Sequence, residues 1–142
     1  MRTTKTFIDT NVLVYAVDEA FPSNRRKARS VLRSLVRFRT GVVSTQVMQE
    51  LYRVLVDKLK FERSRAKTTV LDLQNFEVIS ITPNLVELAI DLTILHSLSI
   101  WDALLVAAAR EARCAVLFTE DLQHDAVIAG VRVENPFASG AP

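Results

Sequence analysis

Thr6-Phe7-Ile8-Asp9-Thr10-Asn11-Val12-Leu13-Val14-Tyr15 is a short apolar run that delivers one carboxylate and is followed at once by a second apolar run. The first run reads as a buried strand, and Asp9 closes it. In an open parallel sheet, chemistry gathers just beyond the carboxyl ends of the strands. Asp9 is therefore read as the first ligand of a metal site, on condition that the rest of the chain supplies partners.

Working outward, Thr10 or Asn11 can cap a short helix through Val12, Leu13, Tyr15 and Ala16, which ends at the turn-like Asp18-Glu19-Ala20-Phe21-Pro22. A second helix is expected from Ser23. Its apolar residues Ala28, Val31, Leu32, Leu35 and Val36 keep one face, while Arg25, Arg26, Lys27, Arg29, Arg33 and Arg37 form the one dense basic surface. Gly41 to Ser44 reads as a second strand, and Ser44 or Thr45 caps a helix with Val47, Leu51, Val54 and Leu55 on one side. Glu50 borders that buried stripe.

Ser64 is expected to open a helix through Ala66, Val70, Leu73 and Phe76, leading to a strand over 78–81. Thr82-Pro83 supplies a cap and a first-turn proline for a helix that runs out near His96. Ser99, with Asp102 three residues on, nearly matches a capping box and fixes the start of an alanine-rich helix over 101–113. Strands are expected over 115–119, with Glu120-Asp121 directly after, and over 131–133. Strands alternating with helices predict an α/β fold with a parallel sheet covered on both faces. One domain is expected over 1–137, with a disordered tail over 138–142.

Composition narrows the classes. The chain has 142 residues, 49% hydrophobic and 24% charged, which is ordinary for a globular domain and remote from disorder. A net charge of +2 is too mild to announce nucleic acid, so that case has to come from where the bases lie. Cys114, the only cysteine, excludes a disulfide framework and a multi-cysteine zinc site, and fits a reducing, cytoplasmic setting. Asp9 cuts the apolar run after Lys5, so no signal peptide is expected. The apolar run from Ala103 to Ala109 is far short of the about 18 residues of a membrane span.

In this layout Asp9 and Asp121 follow strand ends, Glu50 lies on the helix leaving the second strand, and Asp102 opens a helix, all at one edge of the sheet. Four such carboxylates repel one another, and a hard divalent cation with oxygen ligands, Mg²⁺ or Mn²⁺, relieves the repulsion. Such an ion activates water and offsets the charge growing on a phosphodiester. Each acid also has a plainer reading. Asp9 could cap a helix, Asp102 could complement a helix dipole, Asp121 could serve a turn, and Glu50 could pair with Arg53 or Lys58. Their joint placement is what favours the metal. His96 and His124 lack ligand spacing and Cys114 reads as a small buried group. The basic helix is either a solvated face or a track for phosphates through Arg25, Arg26 and Arg29.

Four pieces carry a family likeness: Phe7-Ile8-Asp9-Thr10-Asn11, Ser44-Thr45-Gln46-Val47-Met48-Gln49-Glu50-Leu51, Ser99-Ile100-Trp101-Asp102-Ala103-Leu104, and Leu117-Phe118-Thr119-Glu120-Asp121-Leu122. In order and spacing the chain resembles the PIN-domain proteins, and more narrowly the VapC-type toxins of bacterial toxin-antitoxin pairs. The resemblance implies a three-layer α/β/α sandwich around a central parallel sheet of four to five strands. It also implies a ribonuclease that depends on Mg²⁺ or Mn²⁺, is inhibited by a cognate antitoxin and forms a homodimer. Asp9 and Asp102 then look like the central ligands, with Glu50 and Asp121 as the further acids and Asn11 and Thr119 in support. Trp101 stands where tyrosine is common, and Glu120 competes with Asp121 for the fourth place. The alternatives are a PIN-domain RNA-processing nuclease outside any toxin pair, and a non-catalytic module that binds RNA or a partner. A phosphatase with a nucleophilic aspartate is disfavoured because Asn11 stands where that chemistry wants a second acid.

Overall fold

The computed structural model describes residues 4–138, so the tail expected over 138–142 lies outside the described residues except for Ala138. The elements follow in the order β1 (Thr6–Ile8), α1 (Thr10–Tyr15), α2 (Pro22–Phe38), β2 (Gly41–Ser44), α3 (Thr45–Asp57), α4 (Arg63–Leu71), β3 (Glu77–Ile79), α5 (Pro83–His96), α6 (Ile100–Glu111), β4 (Val116–Phe118), β5 (Val127–Ile128) and β6 (Val131–Glu134). A 3-10 turn at Asp72–Asn75 joins α4 to β3.

The sheet has six strands in the order β3-β2-β1-β4-β6-β5, all parallel except β5, which runs antiparallel to β6. Right-handed crossovers fix where the helices go. The chain steps outward from β1 to β2 to β3, which stacks α1 to α4 on one face. It then reverses from β3 to β4, which sends α5 and α6 to the other. Every residue of β1, β2 and β4 is buried. Since successive strand side chains point to opposite faces, both faces are covered. The reversal leaves a crevice beyond the ends of β1 and β4, the position where open sheets of this kind bind ligands.

The expected caps at Ser44, Thr82 and Ser99 are in place, each hydroxyl accepting a bond from the amide three residues on. Elsewhere tertiary contacts move the boundaries. Asp9, not Thr10 or Asn11, caps α1. Pro22 starts α2, one residue ahead of Ser23, as proline's missing N–H allows at a first helical position. β3 stops at Ile79 because the Ile81 amide donates to the Thr45 hydroxyl (3.1 Å) in place of a ladder partner. α4 ends before Phe76, whose ring packs over Gly41 so closely that a Cβ there would lie 2.5 Å from it. The sixth strand is an addition to the sheet expected. Ala129 (φ 51°) and Gly130 (φ 83°) make a two-residue turn with both residues left-handed, which reverses the chain into β6.

Candidate metal centre at the carboxyl edge of the sheet

β1 and β4 pair in parallel with Ile8 opposite Phe118, so the residues that follow them, Asp9 and Thr119, arrive side by side. The Asp9 amide donates to the Phe118 carbonyl (3.0 Å), and the Thr119 amide donates to the Glu134 carbonyl of β6 (3.2 Å). Asp9 is 3% exposed and Thr119 fully buried. The Asp9 carboxylate accepts from the Thr10 amide (2.7 Å), the Thr119 hydroxyl (2.8 Å) and the Asn11 amide group (3.3 Å). Thr119 Oγ1 in turn accepts from the Asp121 amide (3.0 Å), and Asn11 Nδ2 donates to Asp121 Oδ2 (3.2 Å). One connected network thus joins Asp9, Asn11, Thr119 and Asp121. Glu120 is held separately, by the Tyr15 hydroxyl at 3.2 Å.

The two helix-borne acids enter from opposite faces of the sheet. Glu50 accepts from the Thr10 hydroxyl (3.1 Å), which hangs it beside Asp9. Asp102 lies in the first turn of α6, where the Ser99 cap accepts from its amide (3.1 Å). Gln46, one turn before Glu50, donates to the Trp101 carbonyl (3.3 Å) and ties the start of α3 to the start of α6.

The charges of these acids reach one another. Burial pushes the Asp9 carboxyl up to about 7; the Thr119 and Thr10 hydrogen bonds oppose the rise, and the Asp121 and Glu50 charges add to it. Asp102 is also raised, by burial first, against its Ser99 hydrogen bond and with the Asp121 and Glu50 charges contributing. Asp9 and Asp102 therefore hold a proton more readily than solvated carboxyls do, and a cation placed beside them would favour its release.

A cleft of ≈ 350 Å³ opens on this edge, and Asp9, Glu50 and Asp121 line it; Asp102 is outside its lining. The donors available are all oxygens, which is the chemistry Mg²⁺ and Mn²⁺ take. Asn11 Oδ1 is buried and has no hydrogen-bond partner among the described residues, an acceptor left over within the network. Among the described residues no three or more His, Cys, Asp or Glu side chains are assembled into a metal cage. An open donor set of this kind suits Mg²⁺, which dehydrates reluctantly and is commonly held by one or two carboxylates plus waters and substrate phosphates. The oxygen donors therefore fit such an ion, and Asp9, Glu50, Asp102 and Asp121 are the acids from which it would draw its one or two carboxylates.

The plainer readings of two acids coexist with this arrangement. Asp9 does cap α1, and Glu50 stands 3.9 Å from Arg53. Arg25, Arg26 and Arg29 do not line the cleft; its basic side chains are Arg53 and Lys58. Arg29 Nε donates to the Ala16 carbonyl at the end of α1 (2.8 Å), a structural contact that no sequence pattern announces. The same holds for Gln46 and Tyr15, each of which acts across a long sequence separation. Cys114 is buried with its thiol pushed up to about 12, first by burial, so it is an inert core group. His124 Nδ1 accepts from the Asn135 amide (2.9 Å), while His96 is exposed at the end of α5. No single helix among the described residues is long and apolar enough to cross a membrane.

Comparison with known proteins gives the arrangement a context. The chain is similar in structure to a toxin-antitoxin complex from Klebsiella pneumoniae, at 24% identity over 93% of this chain and 98% of that one, with a TM-score of 0.67. It is similar to the DNA-bound VapBC of Salmonella typhimurium at 16% identity, over 94% and 98% of the two chains, with a TM-score of 0.69. It also resembles Mycobacterium tuberculosis VapC20, described as a sarcin-ricin loop cleaving toxin, at 19% identity over 79% and 86%, with a TM-score of 0.64. No curated protein matches the chain. At these identities the structures speak for the fold. The family profile speaks for more, because the PIN domain matches residues 6–129 and so takes in the strand ends and helix starts that bear all four acids: the chain belongs to the PIN-domain family.

Proposed function

We propose that this protein is a divalent-metal-dependent ribonuclease of the VapC type, the toxin of a type II toxin-antitoxin pair, which hydrolyses RNA phosphodiester bonds. The observation that carries the reading is the gathering of Asp9, Glu50, Asp102 and Asp121 at one sheet edge, with the Asp9 and Asp102 carboxyls raised, by burial first, and a spare Asn11 oxygen beside them. The membership in the PIN-domain family supports it. So do the structural relatives, two of them toxin-antitoxin assemblies and one an RNA-cleaving toxin by its own description.

Bound Mg²⁺ or Mn²⁺ would supply Lewis acidity, activating water for attack on phosphorus and offsetting the charge that grows on the phosphodiester oxygens. The chain's own residues prepare for this. The Thr10 amide and Thr119 hydroxyl fix both oxygens of Asp9 before any ligand arrives. Asn11 holds Asp121 against Asp9 with its amide hydrogens and leaves Oδ1 as a buried acceptor without a partner among the described residues. Burial raises the Asp9 carboxyl to about 7, so a proton would compete with a metal ion for it.

Two protein partners belong to this reading. A small antitoxin that brings an arginine to the acids would block them through charge-assisted, bidentate pairing. A second copy of the chain is the other. Val86, Ile90 and Ile94 recur every four residues on α5 with exposed side chains, and Trp101 at the start of α6 is 66% exposed, an apolar surface that supports a homodimer.

Single-stranded RNA incubated with the purified protein and Mg²⁺ or Mn²⁺ should be cut, and chelator should stop the cutting. Asp9→Asn and Asp102→Asn should each lower the rate by about a hundredfold or more, as loss of several kcal/mol of charge stabilisation implies. Parental cleavage by either variant overturns the assignment.

A further inference from the structure

The cleft that holds the acids has three kinds of wall. Its floor is carboxylate. On the α3 side stand Arg53 and Lys58, and on the α1–α2 side Tyr15 and Phe21. Phe21 is out of place by local rules. It occupies the N-cap of α2, where a short polar side chain normally accepts a bond from the helix, and it makes no such bond. Its ring is 50% exposed.

The ring is nevertheless held. Tyr15 meets it edge-to-face at 5.6 Å and 87°, and Phe137 backs Tyr15 at 4.6 Å. The Tyr15 hydroxyl is anchored on Glu120. A half-open aromatic ring that lines a cleft and is held by a second ring is the form of a stacking surface for a nucleobase.

We infer that Phe21 is the platform on which an unpaired base of the RNA stacks, with the adjoining phosphate held by Arg53 and Lys58. This rests on the ribonuclease reading and deepens it, since a strand must present a splayed base to use such a platform. Charge sets the orientation. Asp18 and Glu120 also line the cleft, and Glu120 is held by the Tyr15 hydroxyl, so a phosphate placed beside the aromatic residues meets like charge, whereas Arg53 and Lys58 attract it. Base to the aromatic wall and phosphate to the basic wall is the arrangement that avoids this repulsion.

The test is binding of the full chain to single-stranded RNA in chelator, with 2-aminopurine placed at each position in turn. One position should be quenched on binding. Phe21→Ala should release that quench and weaken binding about tenfold, the scale of one base–aromatic stack. Phe21→Trp should keep both properties, and Phe21→Leu, apolar without a ring face, should behave like alanine. Arg53→Gln and Lys58→Gln should each flatten the dependence of log affinity on log salt by roughly 0.7. If Phe21→Ala or Phe21→Leu binds and quenches like the parent, the platform is wrong while the ribonuclease reading stands. If the parent neither binds RNA in chelator nor cuts it with Mg²⁺, the ribonuclease reading fails and the platform with it.

Discussion

The site has two halves that the fold treats differently. The inner half, Asp9, Asn11, Thr119 and Asp121, follows the ends of β1 and β4 and is closed by hydrogen bonds between its own members. The outer half, Glu50 and Asp102, is carried near the starts of two helices from opposite faces. Glu50 has one hydroxyl donor and a loose contact with Arg53, and its side chain is 42% exposed. The inner half is therefore organised by the backbone and holds a buried carboxyl, whereas the outer half can adjust. Adjacent parallel strands place consecutive residues rigidly, but a carboxylate on a helix depends on how that helix is tied down, here by Gln46 to the Trp101 carbonyl.

Burial of the Asp9 carboxyl, with the Asp121 and Glu50 charges adding to it, is measurable as pH dependence, and this is the largest effect expected. Asp9 has its folded pKa raised from 3.8 to about 7. In the metal-free protein the folded state holds a proton that the unfolded chain has already released. The stabilising contribution is therefore complete below about pH 4 and is lost as pH rises through about 7. Each tenfold change in proton affinity corresponds to about 1.4 kcal/mol, which puts the ceiling of this contribution on the order of 4 kcal/mol. Urea unfolding in chelator across pH 4 to 8 should show the parent losing stability relative to Asp9→Asn through that window. A parent-to-variant difference that does not change with pH would mean that Asp9 does not take up the proton.

This contrast also explains what could be read from sequence. Asp9 and Thr119 end apolar runs that are strands in any reading, and Ser44, Thr82 and Ser99 carry caps whose chemistry is local. The surroundings that distinguish Glu120 from Asp121 are not local. The Thr119 hydroxyl accepts from the Asp121 amide, Asn11 reaches Asp121, and Tyr15 donates to Glu120. The Asn11 and Tyr15 contacts span more than a hundred residues, and no periodicity reports them. The arginines of α2 read from sequence as either a solvated face or a track for phosphates; Arg29 donates to the Ala16 carbonyl, and the cations that line the cleft are Arg53 and Lys58. The β5 strand escapes a sequence reading because it has only two residues and its Ala129-Gly130 turn lacks the usual asparagine or aspartate.

The inner network can be cut at one bond. Thr119→Val keeps the shape of a fully buried side chain and removes the hydroxyl that donates to Asp9 and accepts from Asp121. Loss of a group that orients a metal's ligands typically costs about tenfold to a hundredfold in affinity. Titration of Mn²⁺ by calorimetry should show a loss of that size, with Thr119→Ser restoring most of it. An affinity equal to the parent's would mean that the network is only structural.

The smallest effect belongs to the outer half and defines its character. Arg53 Nη2 lies 3.9 Å from Glu50 Oε1, and both side chains are about half exposed. Pairs of this kind contribute about 0–1 kcal/mol, because solvent screens them and ordering two long side chains costs entropy. Arg53→Gln should therefore leave the unfolding midpoint in chelator almost unchanged, while Glu50 loses its competing cation and Mn²⁺ binds slightly more tightly. If instead the variant unfolds much more easily, Glu50 is held as firmly as Asp9, and the distinction between a fixed inner half and an adjustable outer half disappears.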